Sequence, residues 1–368
     1  MAKNDIAVLI IAAGYSSRMH DFKPLLPFGK ISALERVIRT YQAHGIEHIY
    51  VVTGHRQEEI IETLNGYKVR IVYNEAYDKG MFSSIQKGLR AIDETMSAFY
   101  MQPVDIPLIK PQSLERLYEA YEREGKGVIY PTFLGHKGHP PLIDMKYKAQ
   151  ILASDGEGGL KKVLEAFNQD ALHVNVTEQS VLMDMDTQED YINLIMYEAL
   201  NVPTKDECLA IMLQNEVPKH IIKHCEAVEK MACNVYELVA SFGLRIDKNI
   251  LSAAALLHDI ARQEKNHAYV GAEKLRAMDS GAIGDIIATH MDIDVDVNVP
   301  LNANELLFLA DKLVDEDEVC GFEKRFFRAF QKCEGNIEAQ RNITKRLNAT
   351  KAIIAKIENL TCKAFPYG

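Results

Sequence analysis

A loop near the start of the chain combines small residues with two positive charges. It follows the apolar run 6–13 and contains Gly14 and Ser16, then Arg18 and Lys23. Small residues allow backbone N–H groups to close around phosphate oxygens, and the two cations neutralise the charge of such a ligand. One glycine satisfies neither the P-loop pattern nor the dinucleotide fingerprint, so the sequence predicts a different polyanion site. The alternative is a buried strand followed by an ordinary basic loop.

Two carboxylates in the same half are candidate metal ligands. Asp105 ends an apolar stretch between prolines, and Asp186 follows Asp184 in the segment MDMDTQED. Carboxylates suit Mg²⁺, and an aspartate seldom lies unpaired at the end of a buried strand. Mg²⁺ held opposite a cationic loop favours transfer at the α-phosphorus of a nucleoside triphosphate. A phosphate acceptor is already an anion, so positioning and charge neutralisation suffice without a general base.

The second half carries a set of histidines and aspartates that can bind metal. They are His224, His258, Asp259, His267, His290 and Asp311. Each one alone is better explained as a capped or solvated side chain. Together they favour a bound metal, because His258 and Asp259 follow a strongly apolar helical run where unpaired polar groups are costly. The helices of a bundle can bring the other ligands to the same centre.

The chain positions these two sets in different folds. Buried-strand runs at 6–13, 48–54, 69–74, 98–105 and 127–131 alternate with amphipathic helical stretches at 33–44, 57–64, 83–94 and 111–124. This alternation predicts an α/β fold with a doubly wound, mainly parallel sheet, whose ligands bind beyond the carboxyl ends of the strands. After residue 197 helical patterns dominate. We therefore predict an α/β domain at 1–198, a linker with one short helix at 199–217, and an all-α domain at 218–368.

Composition limits the partners of this 368-residue chain. A formal net charge of −10 argues against nucleic acid as the main ligand, because phosphate backbones attract basic surfaces. Six scattered cysteines without a C-x-x-C pair favour neither a disulfide framework nor a thiolate zinc site. The sequence also lacks a signal-peptide pattern and a membrane-length apolar run. These features predict a cytoplasmic protein that binds neither nucleic acid nor membranes.

The first half resembles a known family. The segments AAGYSSRM, VVTGH, NEAYDKGMFSSI, PVDIP, GHPPLI and MDMDTQEDY, in that order over residues 5 to about 197, are similar to those of molybdenum cofactor nucleotidylyltransferases. The order Ala-Ala-Gly at 12–14 resembles the cytidylyl branch of that family. The resemblance implies a Rossmann-like nucleotidyltransferase fold that uses CTP and molybdopterin and releases pyrophosphate. It also implies a molybdenum enzyme apoprotein as the recipient of the product.

The same resemblance implies roles for individual residues. Ala12, Ala13, Gly14 and Ser84 would line the nucleotide, Arg18 and Lys23 would contact its phosphates, and Asp105 and Asp186 would hold Mg²⁺. His139 and the loop 154–159 would face the pterin. The side chain of Ala13 narrows the space for a purine, which accounts for a preference for CTP. His20 stands where the family usually has glycine, and its Cβ restricts positive φ.

The second half resembles the HD-domain metal-dependent phosphohydrolases over residues 218 to about 318. His258 and Asp259 would be the catalytic pair. The additional His267 and His290 resemble the subgroup that holds two metals, often iron or manganese, and cleaves phosphate esters or anhydrides of nucleotides. Arg262 stands where many members have lysine, which keeps the charge and changes its geometry.

Two alternatives remain beside these assignments. The helical half is either a hydrolase or a nucleotide-sensing module without turnover, and the first half is alternatively a sugar-phosphate nucleotidylyltransferase. From residue 323 onward, amphipathic helices either close the bundle or form a homodimer contact. The acidic run 315–318 is interpreted as a solvated helix face.

Overall fold

The computed structural model describes residue 3 and residues 5–19 and 21–367, so the departure at His20 lies outside the described residues. The chain divides into two compact units, the first ending at Ala199 and the second beginning at Leu200. The strands of the first unit are β1 (Ile6–Ala12), β2 (Pro27–Phe28), β3 (Ile31–Ser32), β4 (His48–Thr53), β5 (Arg70–Tyr73), β6 (Ala98–Pro103), β7 (Val128–Phe133), β8 (His136–Lys137), β9 (Leu142–Asp144) and β10 (Ala171–Asn175). Its α-helices are α1 (Ala33–Ala43), α2 (Gln57–Thr63), α3 (Met81–Ala91), α4 (Pro111–Glu124), α5 (Lys148–Ala153), α6 (Gly159–Glu165) and α7 (Gln188–Ala199).

One sheet of eight strands organises the first unit, in the order β10-β7-β9-β6-β1-β4-β5 with β8 paired to β7. All seven residues of the central strand β1 are buried, as expected for a strand covered on both faces. β1 runs parallel to β4 and β6, whereas β9 is antiparallel to β6 and β7. The predicted α/β fold with a mainly parallel sheet is confirmed. Parallel pairing brings the carboxyl ends of β1, β4 and β6 to one edge.

Local signals set the ends of the helices near that edge. α3 begins at Met81 rather than at the predicted Ser83, because Gly80 takes a φ of 95° that ends the preceding turn. Ser84 therefore lies inside α3 rather than at its cap. α4 begins at Pro111 and stops before Gly125, which is left-handed, and so matches the predicted range.

The second unit is a bundle of helices around an apolar core. Its α-helices are α8 (Lys205–Gln214), α9 (Lys219–Val239), α10 (Lys248–Leu257), α11 (His267–Ala277), α12 (Gly281–Ile287), α13 (Ala303–Leu313), α14 (Phe322–Lys332) and α15 (Ile337–Thr361). α8 lies in the segment interpreted as a linker with a short helix, and it contributes Cys208 and Met212 to the core. The predicted helical fold of this half is confirmed. Within the described ranges, no helix is long and apolar enough to cross a membrane.

The acidic run forms a hairpin, and its interpretation as a helix face is wrong. β11 (Val314–Asp315) pairs in antiparallel fashion with β12 (Glu318–Val319). α13 ends at Leu313, and Glu316 has a φ of 57°, a left-handed conformation that forms the turn between the two strands. Its neighbours Asp317 and Glu318 are exposed, so the acidic side chains are indeed solvated.

Candidate functional site

The loop after β1, which carries Gly14 and Ser16, and the segment with Asp105 lie side by side at the carboxyl edge of the sheet. Ile11 of β1 pairs in register with Pro103 of β6, so the two segments that follow these strands begin as neighbours. A cavity of about 240 Å³ lies there, and its lining includes Gly14, Ser16, Lys23, Ser84 and Asp105. The edge predicted to bind a ligand thus carries a pocket lined by these candidate residues.

Lys23 joins the two predicted metal ligands of the first unit. Its Nζ lies 3.2 Å from Asp105 Oδ2 and 2.6 Å from Asp186 Oδ1. Arg18 extends into solvent and donates a hydrogen bond of 2.8 Å to the other oxygen of Asp186. The loop is held in place by the Lys23 backbone N–H, which donates to Ser16 Oγ at 3.1 Å. The structure therefore brings together all four charged groups that the sequence singled out.

The charges of this group stabilise one another. Burial opposes the Lys23 ammonium, but its hydrogen bonds to Asp186 and Asp105 outweigh burial and raise its pKa. The hydrogen bond from Lys23 lowers the pKa of Asp186, and Arg18 adds to this effect. Burial and the charges of Asp186 and Asp105 raise the pKa of Asp184. Lys23 and Asp186 are consequently an ion pair at neutral pH.

The donor set of the first unit fits a hard divalent cation. Asp105 and Asp186 point their oxygens at one position, which the Lys23 ammonium already marks as a place where positive charge is stabilised. Carboxylate oxygens are ligands that Mg²⁺ prefers, and it completes its shell with water and substrate phosphates. The residues present therefore suit the magnesium ion that the sequence predicts.

Ala12 and Ser84, two of the other predicted nucleotide-binding residues, line the same cavity. Ala12 and Ala13 are buried at the end of β1. Ser84 is buried in α3, and its Oγ accepts a hydrogen bond of 3.0 Å from the Asn74 amide. His139 is half-buried, its buried Nδ1 has no hydrogen-bond partner among the described residues, and burial lowers its pKa. A neutral His139 is therefore expected at neutral pH.

Sequence reasoning missed an aromatic part of this pocket wall. Tyr15 and Tyr77 line the cavity, with ring centroids 5.3 Å apart, and the His55 ring lies 5.0 Å from Tyr15. Gly54 permits this packing, because a Cβ there would come within 2.6 Å of the Tyr77 side chain. Isolated aromatic residues in loops give no periodic signal, so the sequence alone offered no reason to select them.

Six predicted metal ligands converge in the second unit. Helices α9, α11 and α13 supply His224, His267 and Asp311, the His258-Asp259 pair follows α10 directly, and His290 follows α12. Asp259 is central: its oxygens lie 3.2 Å from His267 Nε2, 3.4 Å from His290 Nε2 and 3.6 Å from His258 Nε2. His224 Nε2 lies 3.3 Å from Asp311 Oδ1. We call these six residues the His/Asp cluster.

Backbone carbonyls orient three rings of the His/Asp cluster. The Nδ1 atoms of His224, His258 and His290 lie 2.6, 2.8 and 2.6 Å from the carbonyl oxygens of Glu316, Ala255 and Ile287. A carbonyl can only accept a hydrogen bond, so each Nδ1 carries the proton and each Nε2 is left as a ligand atom. This is the arrangement of metal-binding histidines.

Unsatisfied buried atoms complete the fit to a metal. Nε2 of His258 and Oδ1 of Asp259 are buried and make no hydrogen bond to any described residue. The ligand atoms form two groups that share Asp259, one with His224 and His258 and one with His267 and His290, each spanning at most 4.8 Å. Buried unpaired polar atoms are costly, and metal coordination offsets that cost. The cluster fits one or two divalent ions.

Comparison with known proteins agrees with this division into two sites. Residues 8–173 match the MobA-like NTP transferase domain, and residues 221–314 match the HD domain. The chain joins a MobA-like NTP transferase domain to an HD domain. Both resemblances drawn from the sequence are thereby confirmed at the level of domain families.

Curated relatives match mainly the MobA-like domain. The molybdenum cofactor cytidylyltransferase of Escherichia coli (strain K12) is 26% identical over 188 residues, which cover 51% of this chain and 94% of that protein. The bifunctional protein GlmU of Synechococcus sp. (strain JA-3-3Ab) is 30% identical over 125 residues, and the bifunctional IPC transferase and DIPP synthase of Rubrobacter xylanophilus is 33% identical over 121 residues. The matches cover 33% and 31% of this chain, but only 20% and 27% of the lengths of these two relatives.

Solved structures give similar matches. A nucleotidyl transferase from Methanothermobacter thermautotroptrophicus is 24% identical with a TM-score of 0.47, covering 53% of this chain and 97% of that one. The 4-diphosphocytidyl-2C-methyl-D-erythritolsynthase from Anaerococcus prevotii is 21% identical with a TM-score of 0.44, covering 53% of this chain and 96% of that one.

Burial and charge hold His258, Asp259 and Asp311 of the His/Asp cluster in their metal-binding protonation states. Burial lowers the pKa of His258 to about 4, so its ring is neutral at neutral pH. Burial opposes ionisation of Asp259, but the close approach of His258, His267 and His290 lowers its pKa. Burial likewise opposes ionisation of Asp311, whose pKa Lys312 and Arg325 nevertheless hold well below its usual value. Neutral imidazoles and ionised carboxylates are the forms that bind metal. His224 differs, because burial disfavours its charged form but the contact with Asp311 outweighs burial and raises its pKa.

Lys312 and Arg325, which the sequence alone did not indicate, hold Asp311 of the His/Asp cluster in place. Lys312 is buried, and its Nζ donates to Asp311 Oδ2 at 2.6 Å and to the His290 carbonyl at 3.2 Å. Arg325 of α14 donates to the backbone carbonyls of Asp311 and Val314, and its guanidinium lies 3.4 Å from Asp311 Oδ1. Lys312 therefore connects two candidate ligands from different helices.

Proposed function

We propose that the MobA-like unit transfers a cytidylyl group from CTP to a molybdopterin-type acceptor and releases pyrophosphate. The observation that carries this proposal is the contact of one Lys23 ammonium with both Asp105 and Asp186, beside the loop of Gly14 and Ser16. A cationic loop facing two carboxylates is the arrangement that binds a magnesium triphosphate.

The chemistry needs little from the protein beyond positioning. A phosphate oxygen of the acceptor attacks the α-phosphorus of CTP, and the bond to the oxygen shared with the β-phosphate breaks. Pyrophosphate then leaves with the electron pair of that bond. Arg18 and Lys23 stabilise the negative charge that accumulates on pyrophosphate, and Asp105 and Asp186 would hold Mg²⁺, which supplies further neutralisation when bound. His139 is not required as a base, because the attacking oxygen is already anionic.

The choice of CTP and molybdopterin has separate support. Ala13 is buried between the pocket-lining residues Ala12 and Gly14, at a position where guanylyl enzymes of the resembled family have glycine, and by that resemblance its Cβ disfavours a larger purine base. The order of six sequence segments and the cytidylyltransferase of Escherichia coli favour the pterin acceptor. A sugar phosphate is the second candidate acceptor, because a sugar-phosphate nucleotidylyltransferase would share the first strand and its loop.

A pyrophosphate-release assay tests the transferase proposal. Each of the four nucleoside triphosphates is incubated with Mg²⁺ and either molybdopterin or a sugar phosphate. We expect release with CTP and molybdopterin, and a loss of at least 100-fold in kcat for Asp105→Asn. Asp93→Asn is the matched control, because Asp93 is an exposed carboxylate in the turn between α3 and β6. Release only with a sugar phosphate would replace the proposed acceptor, and an unaffected Asp105→Asn variant would reject the site.

We propose that the HD unit hydrolyses a phosphate ester or anhydride. The His/Asp cluster would hold one or two ions, iron or manganese by resemblance, and such ions activate water and polarise phosphorus. Arg262 is exposed beside the cluster, with its guanidinium 3.0 Å from His267 Nε2, where it can contact a substrate phosphate. Metal analysis and a phosphoester screen of the wild type and His258→Ala test this role. Metal-loaded wild-type protein that hydrolyses no phosphoester would favour the sensing module.

A cytoplasmic location belongs to the same proposal. All six cysteines are free thiols, and Cys208 and Cys225 are buried in the helical core. Free thiols are stable in a reducing compartment. Cell fractionation followed by immunodetection checks this expectation, and recovery of the protein outside the cytoplasm would contradict it.

A further inference from the structure

A cavity of about 740 Å³ lies beside the His/Asp cluster. The cluster contributes Asp259, His290 and Asp311 to its lining. Other lining residues come from α14 and α15, which begin at residues 322 and 337. The match to the HD domain ends at residue 314, so these helices lie outside the matched region.

The added helices give the cavity an apolar wall. Phe326 and Ala329 of α14 and Ile343 of α15 line it, and we call these three residues the α14–α15 wall. Phe326 and Ile343 are 6% and 7% exposed and belong to the hydrophobic core, so their positions are fixed by packing. Arg325, next to Phe326, hydrogen-bonds the Asp311 carbonyl and thereby ties α14 to the cluster. The wall is therefore preformed and held next to the candidate metal site.

The polar rim of the cavity carries charges of both signs, with Asp315, Glu316 and Asp317 on the same lining as Lys223 and Arg262. Lys223 is exposed and makes no ion pair with any residue that the structure describes. Arg262 Nε lies 3.6 Å from Asp259 Oδ2, and Arg346 is engaged by Asp292 through two hydrogen bonds of 2.9 and 3.0 Å. Among the described residues of this rim, Lys223 is therefore the cation that remains available to a phosphate, whereas the α14–α15 wall offers the cavity an apolar surface.

The cavity is larger than a phosphate group alone would fill. Pockets that enclose organic ligands typically measure about 300–1,000 Å³, and this cavity falls within that range. Inorganic phosphate would occupy the cluster and the rim and leave the α14–α15 wall in contact with water. A ligand with a flat apolar group attached to its phosphate would cover that wall and gain the free energy of burying it.

We infer that the α14–α15 wall determines the specificity of the HD site and selects a phosphate compound that carries a flat apolar organic group. The inference rests on the proposed phosphohydrolase site, and it adds the part of the substrate that lies beyond the phosphate. Ala329 is the most useful position for a test, because it is half-buried and a larger polar side chain there projects into the cavity without removing core volume.

Binding of two phosphonates to the manganese-loaded full chain tests the inference. Phenylphosphonate and methylphosphonate differ in the ring alone, and neither is cleaved by a phosphatase. We expect wild-type protein to bind phenylphosphonate at least tenfold more tightly, a difference of about 1.4 kcal/mol. Ala329→Gln should reduce this preference to less than threefold. Phe327→Gln is the matched control, because Phe327 is 64% exposed on the same helix and does not line the cavity.

The outcomes separate this inference from the proposed activity. Equal affinity of the wild type for both phosphonates, or an unchanged preference in Ala329→Gln, overturns the inference. Thermal unfolding and metal content of each variant show whether the helix and the cluster remain intact, and Ala329→Ser should retain the preference. Protein that prefers phenylphosphonate but hydrolyses no phosphate ester would support the wall and contradict the hydrolase. Protein that hydrolyses phosphate esters without preferring phenylphosphonate would support the hydrolase and contradict the role of the wall.

Discussion

Replacing Lys23 by methionine should change the affinities for metal and for nucleotide in opposite directions. In the structure the Lys23 ammonium lies 2.6 Å from an oxygen of Asp186 and 3.2 Å from an oxygen of Asp105. A divalent ion that binds the same carboxylates must displace this ammonium. A triphosphate, in contrast, gives the ammonium a new partner. Methionine has a similar length and no charge. Lys23→Met therefore removes both the cation that competes with metal for the two carboxylates and the cation that would pair with the triphosphate.

The magnitude follows from these distances. At about 3 Å and an effective dielectric constant of about 20, Coulomb's law gives roughly 5 kcal/mol for each pair. The Asp186 side chain is 39% exposed, so solvent screening and desolvation reduce the net value to about 1 kcal/mol for each pair. Releasing two carboxylates by about 1 kcal/mol each should tighten the binding of a divalent ion alone about 30-fold. Binding of CTP with Mg²⁺ should weaken at least tenfold, and kcat for pyrophosphate release should fall at least 100-fold.

Manganese provides the probe for this prediction. Free Mn²⁺ is measured by electron paramagnetic resonance in a His258→Ala, Asp259→Ala background, which removes the other candidate metal site. Lys30→Met is the control, because Lys30 is exposed in the turn between β2 and β3. Weaker or unchanged binding of Mn²⁺ alone in Lys23→Met would refute the argument that Lys23 competes with metal. The same response in Lys30→Met would show that the effect is one of net charge.

Two further predictions concern buried charged or titratable groups. Burial, with the charge of Lys3, lowers the pKa of His44 from 6.5 to about 4, so the unfolded chain takes up the proton first as the pH falls. The contribution of His44 to the free energy of unfolding is complete well above pH 6.5 and falls by about 2 kcal/mol between pH 7.5 and pH 5. Urea unfolding at several pH values measures this, and the free energy of unfolding should fall more steeply with decreasing pH in the wild type than in His44→Gln. Parallel slopes would contradict it. Lys312→Met should lower the affinity of the HD cluster for Mn²⁺ by about 10–100-fold, because Lys312 links Asp311 to the His290 carbonyl. Equilibrium dialysis checks this, and Mn²⁺ binding equal to that of the wild type would show that Lys312 does not support the site.

The central part of the fold could be predicted because its sequence signal is strong. A buried run such as β1 identifies a central parallel strand, and parallel neighbours deliver their following loops to one edge. The proximity of Lys23 and Asp105 follows from that rule. Asp186 lies in the segment before α7, which is joined to this edge by the Met185 N–H donating to the Asp105 carbonyl at 3.0 Å. In the helical half, the residue types themselves indicated the site. A histidine such as His258 next to an apolar run is explained most simply by a partner that offsets the cost of its burial.

Other features depend on tertiary contacts that leave no pattern in the sequence. β9 inserts between β6 and β7 in the antiparallel direction, and its three residues are too few for a periodic signal. Lys312 resembles any helix lysine until the fold buries it against Asp311. The acidic run 315–318 has a composition that suits a helix surface, but the left-handed Glu316 turns it into a hairpin. Charge predicted its exposure and could not predict its backbone.

The carbonyl contacts to His224, His258 and His290 have a consequence for how the His/Asp cluster would take up a metal ion. The main chain orients these imidazoles when the polypeptide folds, so ion capture does not have to order them. Metal binding to such a preorganised site should be fast and reversible, and chelators should remove the ion while the helices stay folded. The metal that is bound in a cell would then depend on the relative abundance of the available metal ions.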